Sequence, residues 1–115
     1  MNFFLFRSAR LAEGGSPGQG LVQVYYNKTW GWVGSDQWDK RDADVACRMM
    51  DFDGSISADF DYENSIGINA TVWLKNLQCT GNESSLFACT HDGLGCDSCE
   101  GKRIAGVVCK SEGKK

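Results

Sequence analysis

One stretch of this chain, residues 36–50 (DQWDKRDADVACRMM), carries a convincing helical pattern, and it is too short to stand by itself. Asp39 is placed to accept the free backbone N–H of Asp42. Asp42 adds a second carboxylate near the positive end of the dipole, so a helix starting near Lys40 is capped. Ala43, Ala46, Cys47 and Met50 recur at three- and four-residue steps and form an apolar stripe, while Lys40, Arg41, Asp44 and Arg48 can point to water. About three turns of helix are marginal in water, so the rest of the chain must cover this stripe. Cys47 sits on it, where a disulfide can tie the helix to its cover.

The cover reads as strands. Residues 21–26 (LVQVYY) and 30–33 (WGWV) are rich in β-formers and are separated by Asn27, Lys28 and Thr29, which predicts a β-hairpin with a three-residue connection. With Val22 and Val24 facing a core, Gln23 and Tyr25 face outward. Trp30 and Trp32 share one face, so the hairpin is expected to gather four aromatics. Residues 71–77 (TVWLKNL) alternate as a strand, 83–89 suggest a short second helix, and 104–109 (IAGVVC) read as a final buried strand. Residues 14–20 (GGSPGQG) form a turn-rich loop with the single proline. The DFDG segment at 51–54 lacks the third acidic position and the closing glutamate of an EF-hand. Strands with one main helix make the fold α+β, mostly β.

At 115 residues, with 42% hydrophobic and 11% aromatic content, the chain fits one domain with a small core. Six cysteines, together with N-glycosylation acceptors at Asn27, Asn69 and Asn82, favour an oxidising, extracellular setting. A net charge of -3 argues against nucleic acid, because phosphate contacts need a basic face. Acidic residues concentrate between 36 and 63; such a cluster is either a solvated face or a source of oxygen ligands for a hard cation. The opening MNFFLFR is far shorter than a signal peptide or a membrane span, so residues 1–9 read as an edge, 10–110 as the domain and 111–115 as a polar tail, with no direct membrane insertion by this segment.

Several segments in order resemble the scavenger receptor cysteine-rich (SRCR) family: GLVQVYY from Gly20, WGWV from Trp30, Trp38-Asp39, DADVACRMM from Asp42, VWL from Val72, CTGNESSL from Cys79, and AGVVC ending at Cys109. The resemblance runs from about Arg10 to Cys109, and this chain is a divergent six-cysteine version of it. It implies a curved, roughly six-stranded antiparallel sheet cradling one helix, held by disulfides, in an extracellular binding module with no catalytic activity. It pairs Cys47 with Cys109 and Cys79 with Cys89. Gly18, Gly34 and Phe52 stand at three positions where the family usually carries cysteine, so Cys99 lacks its usual partner at Gly34; Cys96 is out of pattern, and a local Cys96–Cys99 pair is the expected replacement. Spacing alone leaves 15 connectivities open.

The same resemblance suggests a weak calcium site at Ser35, Asp36 and Glu83, where a neutral serine replaces one of the family's aspartates. No organic cofactor is implied. Residues 22–30 resemble a bacteria-binding stretch of some family members but depart from it at Gln23 and Tyr25, so Gln23, Tyr25 and Trp32 are the expected ligand-binding residues. Trp32 should lie on the outer face, with Val33 pointing inward. An enzyme finds little support: the single histidine, His91, has Asp92 beside it but no accompanying nucleophile motif. Cys89, His91, Cys96 and Cys99 could in principle hold zinc, yet the spacing is not that of a finger and the family pairing claims Cys89. The leading expectation is an extracellular module that recognises microbial surfaces, glycans, polyanions or host proteins, with the weak calcium site as an aid. The alternative is a non-binding spacer or scaffold domain of a larger secreted enzyme or receptor.

Overall fold

A computed structural model of the chain describes residues 8–12, 14–15, 17–59, 71–95 and 103–110. The helix forms where the capping pattern places it. In α1, Lys40–Met49, the Asp39 carboxylate accepts the amides of Arg41 and Asp42 at 2.9 and 3.2 Å, and the Asp42 carboxylate accepts the Asp39 amide at 2.8 Å. This reciprocal box satisfies amides that a helix start would otherwise leave open. Asp42 is also fully buried, and its second oxygen accepts the Cys79 amide at 2.8 Å. One side chain therefore caps the helix and anchors the segment that begins at Cys79. Burial pushes its pKa up, against the opposing pull of the Cys79 and Asp39 amides.

Among the described residues six strands make one sheet: β1 (Ala9–Ala12), β2 (Gln19–Tyr26), β3 (Thr29–Val33), β4 (Ser55–Ser57), β5 (Val72–Leu74) and β6 (Gly106–Cys109). Strand β2 is the hub. Its first residues pair with β6, its last with β3, and β1 lies along 21–24; the path runs β4-β6-β2-β3-β5. All pairs are antiparallel except β3 with β5, which is parallel, a departure from the all-antiparallel expectation. The long connection through the helix lets β5 return in the direction of β3, as parallel pairing requires. Strand β1 begins at Ala9, one residue before the expected domain start.

The core is assembled from alternate strand positions and the helix stripe. Val22, Val24, Val33, Leu74 and Val107 meet Ala43, Ala46, Cys47 and Met50, joined by Val45, which the stripe as read from sequence omitted. The helix packs against β4 and β6, and the Cys47–Cys109 disulfide ties it to the last strand. Cys79 pairs with Cys89. Both bonds match the pairing that the family resemblance implies, and Cys89 is thereby excluded as a zinc ligand. Cys96, Cys99 and Asn69 lie outside the described residues.

Three local expectations are corrected. The hairpin connection has two residues, because Thr29 already pairs with Tyr26; Asn27 and Lys28 take left-handed φ values of 52° and 68°, which suits a tight hairpin turn. The second helix shrinks to a 3₁₀ turn at Leu86–Ala88, capped by the Ser85 hydroxyl at 3.1 Å. The four hairpin aromatics do not form one cluster: Tyr26 turns away to meet Trp73 and Phe87 at ring-centroid distances of 5.0 and 5.9 Å. Trp73 crosses β3 at Gly31, where any Cβ would sit 2.5 Å from its ring, and donates to the Thr29 carbonyl at 3.0 Å. Glycine is required there by close approach.

Candidate functional site

Strand alternation builds the outer face of the sheet. Because Val22 and Val24 point inward, Gln23 and Tyr25 point outward, and the antiparallel register sets Gln23 between Arg10 of β1 and Trp32 of β3, with Tyr25 opposite Trp30. Trp32 is half-buried on the face opposite the fully buried Val33. Four of these side chains touch in sequence, and Trp32 lies beside Gln23 by register. Arg10 Nε donates to Gln23 Oε1 at 2.7 Å, the Arg10 guanidinium lies 4.1 Å from the centre of the Trp30 ring, and Trp30 meets Tyr25 edge-on at 5.2 Å. A guanidinium over an indole is an attractive contact that also fixes the plane of the cation.

Of the three residues expected to contact ligand, Gln23, Tyr25 and Trp32, all lie on this face. Arg10 was not singled out from sequence, although its place between the core-facing Ala9 and Leu11 was the available signal. The outer face thus presents aromatic surface with one oriented cation, a composition suited to contact residues.

The suggested calcium residues are arranged differently. Glu83 Oε1 accepts the Thr80 amide, the Gly81 amide and the Thr80 hydroxyl at 3.0–3.1 Å, and Oε2 accepts the Thr80 amide at 3.0 Å. These bonds, led by the Thr80 amide, hold its pKa below the ordinary range. The Glu83 and Gly81 carbonyls accept Arg48 of the helix at 2.9 and 2.7 Å. Glu83 is therefore committed to shaping its own loop, and Ser35 contributes no charge. The set fits calcium poorly, because a cation must compete with those amides for Glu83. Among the described residues, Cys79, Glu83 and Cys89 bring three ligand-type atoms together, but both sulfurs are spent in the disulfide. His91 contacts the Asp92 carbonyl, and Asp92 is held by Asn76 and Lys75, the Asn76 contact leading in depressing its pKa; this is a surface polar cluster.

Comparison with known proteins agrees with this architecture. The model of the scavenger receptor cysteine-rich domain family matches residues 12–110. The chain is 39% identical over 103 residues to galectin-3-binding protein of Pongo abelii, covering 90% of this chain and 18% of that protein. It is 31% identical over 105 residues to macrophage receptor MARCO of Mesocricetus auratus, covering 91% and 20%. Among solved structures, the third SRCR domain of murine neurotrypsin superimposes with a TM-score of 0.71 at 31% identity, covering 88% of this chain and 94% of that one. The dimeric form of the SRCR domain of mouse MARCO gives 0.61 at 34%, covering 80% and 86%. The chain belongs to the scavenger receptor cysteine-rich family. It spans about a fifth of the length of the curated relatives it matches. No helix among the described residues is long and apolar enough to cross a membrane.

Proposed function

We propose that this domain is an extracellular, non-catalytic recognition module, secreted or part of a receptor ectodomain, that binds microbial surfaces, glycans, polyanions or host proteins through the outer face of β1–β2–β3. The observation that carries the reading is the contiguous set Arg10, Gln23, Trp32, Tyr25 and Trp30, held on paired strands rather than on loops. Strand backbone fixes their spacing, so little side-chain freedom is lost on contact. The relatives whose names describe a binding protein and a macrophage receptor support the class. Asn27 at the hairpin tip and Asn82 are exposed, as glycan acceptors must be. Calcium has at most an auxiliary part, given the commitments of Glu83.

The test is a pull-down of the secreted domain with bacteria and with polyanion-coated beads, with and without calcium, comparing wild type with Trp32→Thr. Binding by wild type and a loss of about tenfold or more in the variant, with a melting temperature within a few degrees, supports the reading. Equal binding by both removes Trp32 from the site, a large loss of stability assigns it to the core, and silence of wild type under every condition leaves the spacer reading.

A further inference from the structure

A cleft of 430 Å³ opens between β1, the residue 17–18 turn, Trp30 of β3 and the C-terminal end of the helix. Its size lies within the range of about 300–1,000 Å³ typical of small-molecule sites. Ala9, Leu11, Pro17, Met50 and Phe52 make its described lining apolar, and Arg10, Gly18 and Trp30 complete it. Arg10 is its one charged residue among those described. Gly18 and Phe52 occupy two positions where the family usually carries cysteine. Here a Cβ on Gly18 would lie 3.4 Å from the Phe52 ring, and Gly18 has a φ of 86°. The Phe52 ring packs against the bare backbone of Gly18, and both residues line the cleft.

Arg10 is prepared for an anion. Its Nε is spent on Gln23 and its guanidinium lies over the Trp30 ring, while the two Nη nitrogens have no carboxylate partner among the described residues. A planar guanidinium so oriented matches a carboxylate in the two-bonded manner. The chain as a whole carries a net charge of -3, so attraction of an anion here is local and not a property of the protein's field. A small inorganic anion would leave the apolar lining uncovered, and a neutral apolar molecule would leave Arg10 unused.

We propose that this cleft binds a single-chain carboxylate amphiphile, a fatty acid, with the carboxylate on the Nη groups of Arg10 and the hydrocarbon chain along Leu11, Met50 and Phe52. This is a second site, beyond the surface recognition proposed above, and it shares with that face only Arg10 and Trp30. Lipid capture by this cleft does not depend on whether the outer face binds microbial or host ligands.

The probe is dodecanoate, titrated calorimetrically into the domain below the micelle threshold, with octanoate, decanoate, dodecanol and dodecyltrimethylammonium in parallel. The expected result is saturable one-to-one binding that strengthens roughly fourfold per methylene from octanoate until the cleft is filled. Dodecanol binds about tenfold more weakly, the cationic amphiphile more weakly still, and Arg10→Gln lowers dodecanoate affinity about tenfold while leaving dodecanol unchanged. Pro17→Trp, at an exposed lining position, blocks both. Trp32→Thr, which disables the outer face, retains dodecanoate binding, so the two readings fail separately. Equal affinity of Arg10→Gln and wild type for dodecanoate, the same affinity for all chain lengths, or equal binding of the cationic amphiphile overturns the proposal, as does an absence of saturable binding.

Discussion

Replacing Asp42 by alanine removes the one side chain that serves both the helix start and the segment at Cys79. The Cys79 amide, buried and bonded to Asp42 Oδ1 at 2.8 Å, and the Asp39 amide, bonded to Oδ2 at 2.8 Å, both lose their acceptor. Each orphaned donor costs about 1–3 kcal/mol, at the upper end for one that had a charged acceptor. Relief of the desolvation that burial imposes on the carboxylate offsets part of this, so a net loss of about 3 kcal/mol is expected, which lowers Tm by roughly 10–15 °C in a domain of this size. Thermal unfolding followed by circular dichroism, with disulfides intact, measures it. A loss below about 1 kcal/mol at pH 7 would refute the bridging role. The pH dependence adds a sign. Burial raises the Asp42 pKa above its ordinary 3.8, so the folded chain takes up this proton at higher pH than the unfolded chain. Its linked stabilisation is complete below 3.8 and is lost as pH rises through the folded value. The gap between wild type and Asp42→Ala should therefore be wider at pH 4 than at pH 7. Asp44 has the opposite sign: burial would raise its pKa, but the Ser55 hydroxyl and amide and Lys40 hold it below 3.8, so its contribution is lost as pH falls through the folded value. Only the difference between the two proteins isolates Asp42.

The disulfides should separate by loop length: opening Cys47–Cys109, with a separation of 62, costs about 4 kcal/mol, and opening Cys79–Cys89, with a separation of 10, about 3 kcal/mol, measured as double alanine variants in chemical denaturation. A larger loss for the short loop would contradict the chain-entropy account. Non-reducing peptide mapping should recover a Cys96–Cys99 pair, whereas a free thiol or bound zinc at either residue sinks that assignment. In calorimetric titration, calcium should bind wild type only at about the millimolar level, not at all after Asp36→Ala or Glu83→Ala, and more tightly after Ser35→Asp; no heat from wild type or from Ser35→Asp shows that the site is lost.

Local patterns were legible in the residues because they depend only on near neighbours. The helix start at Lys40, the Asp39 cap, the presence of a hairpin after Tyr26 (though not its two-residue length), and the inward set Val22, Val24 and Val33 all follow from periods of 3.6 and 2 and from turn chemistry. The cysteine pairing came from the ordered family segments, since spacing leaves the choice open. The short strands β1 and β4 and the parallel partnership of β3 with β5 were not legible: three or four residues carry too little periodicity, and their partners lie far along the chain. Tertiary structure alone decided that Asp42 reaches Cys79, that Tyr26 leaves the other hairpin aromatics for Trp73, that Glu83 is taken up by Thr80 and Gly81, and that Arg10 lies across Trp30 beside an apolar cleft. Except for the local Glu83 loop, each depends on how two distant segments meet when the sheet forms. Sequence specifies which face a side chain takes on its own element; what that face meets is set by the register and packing of the whole chain.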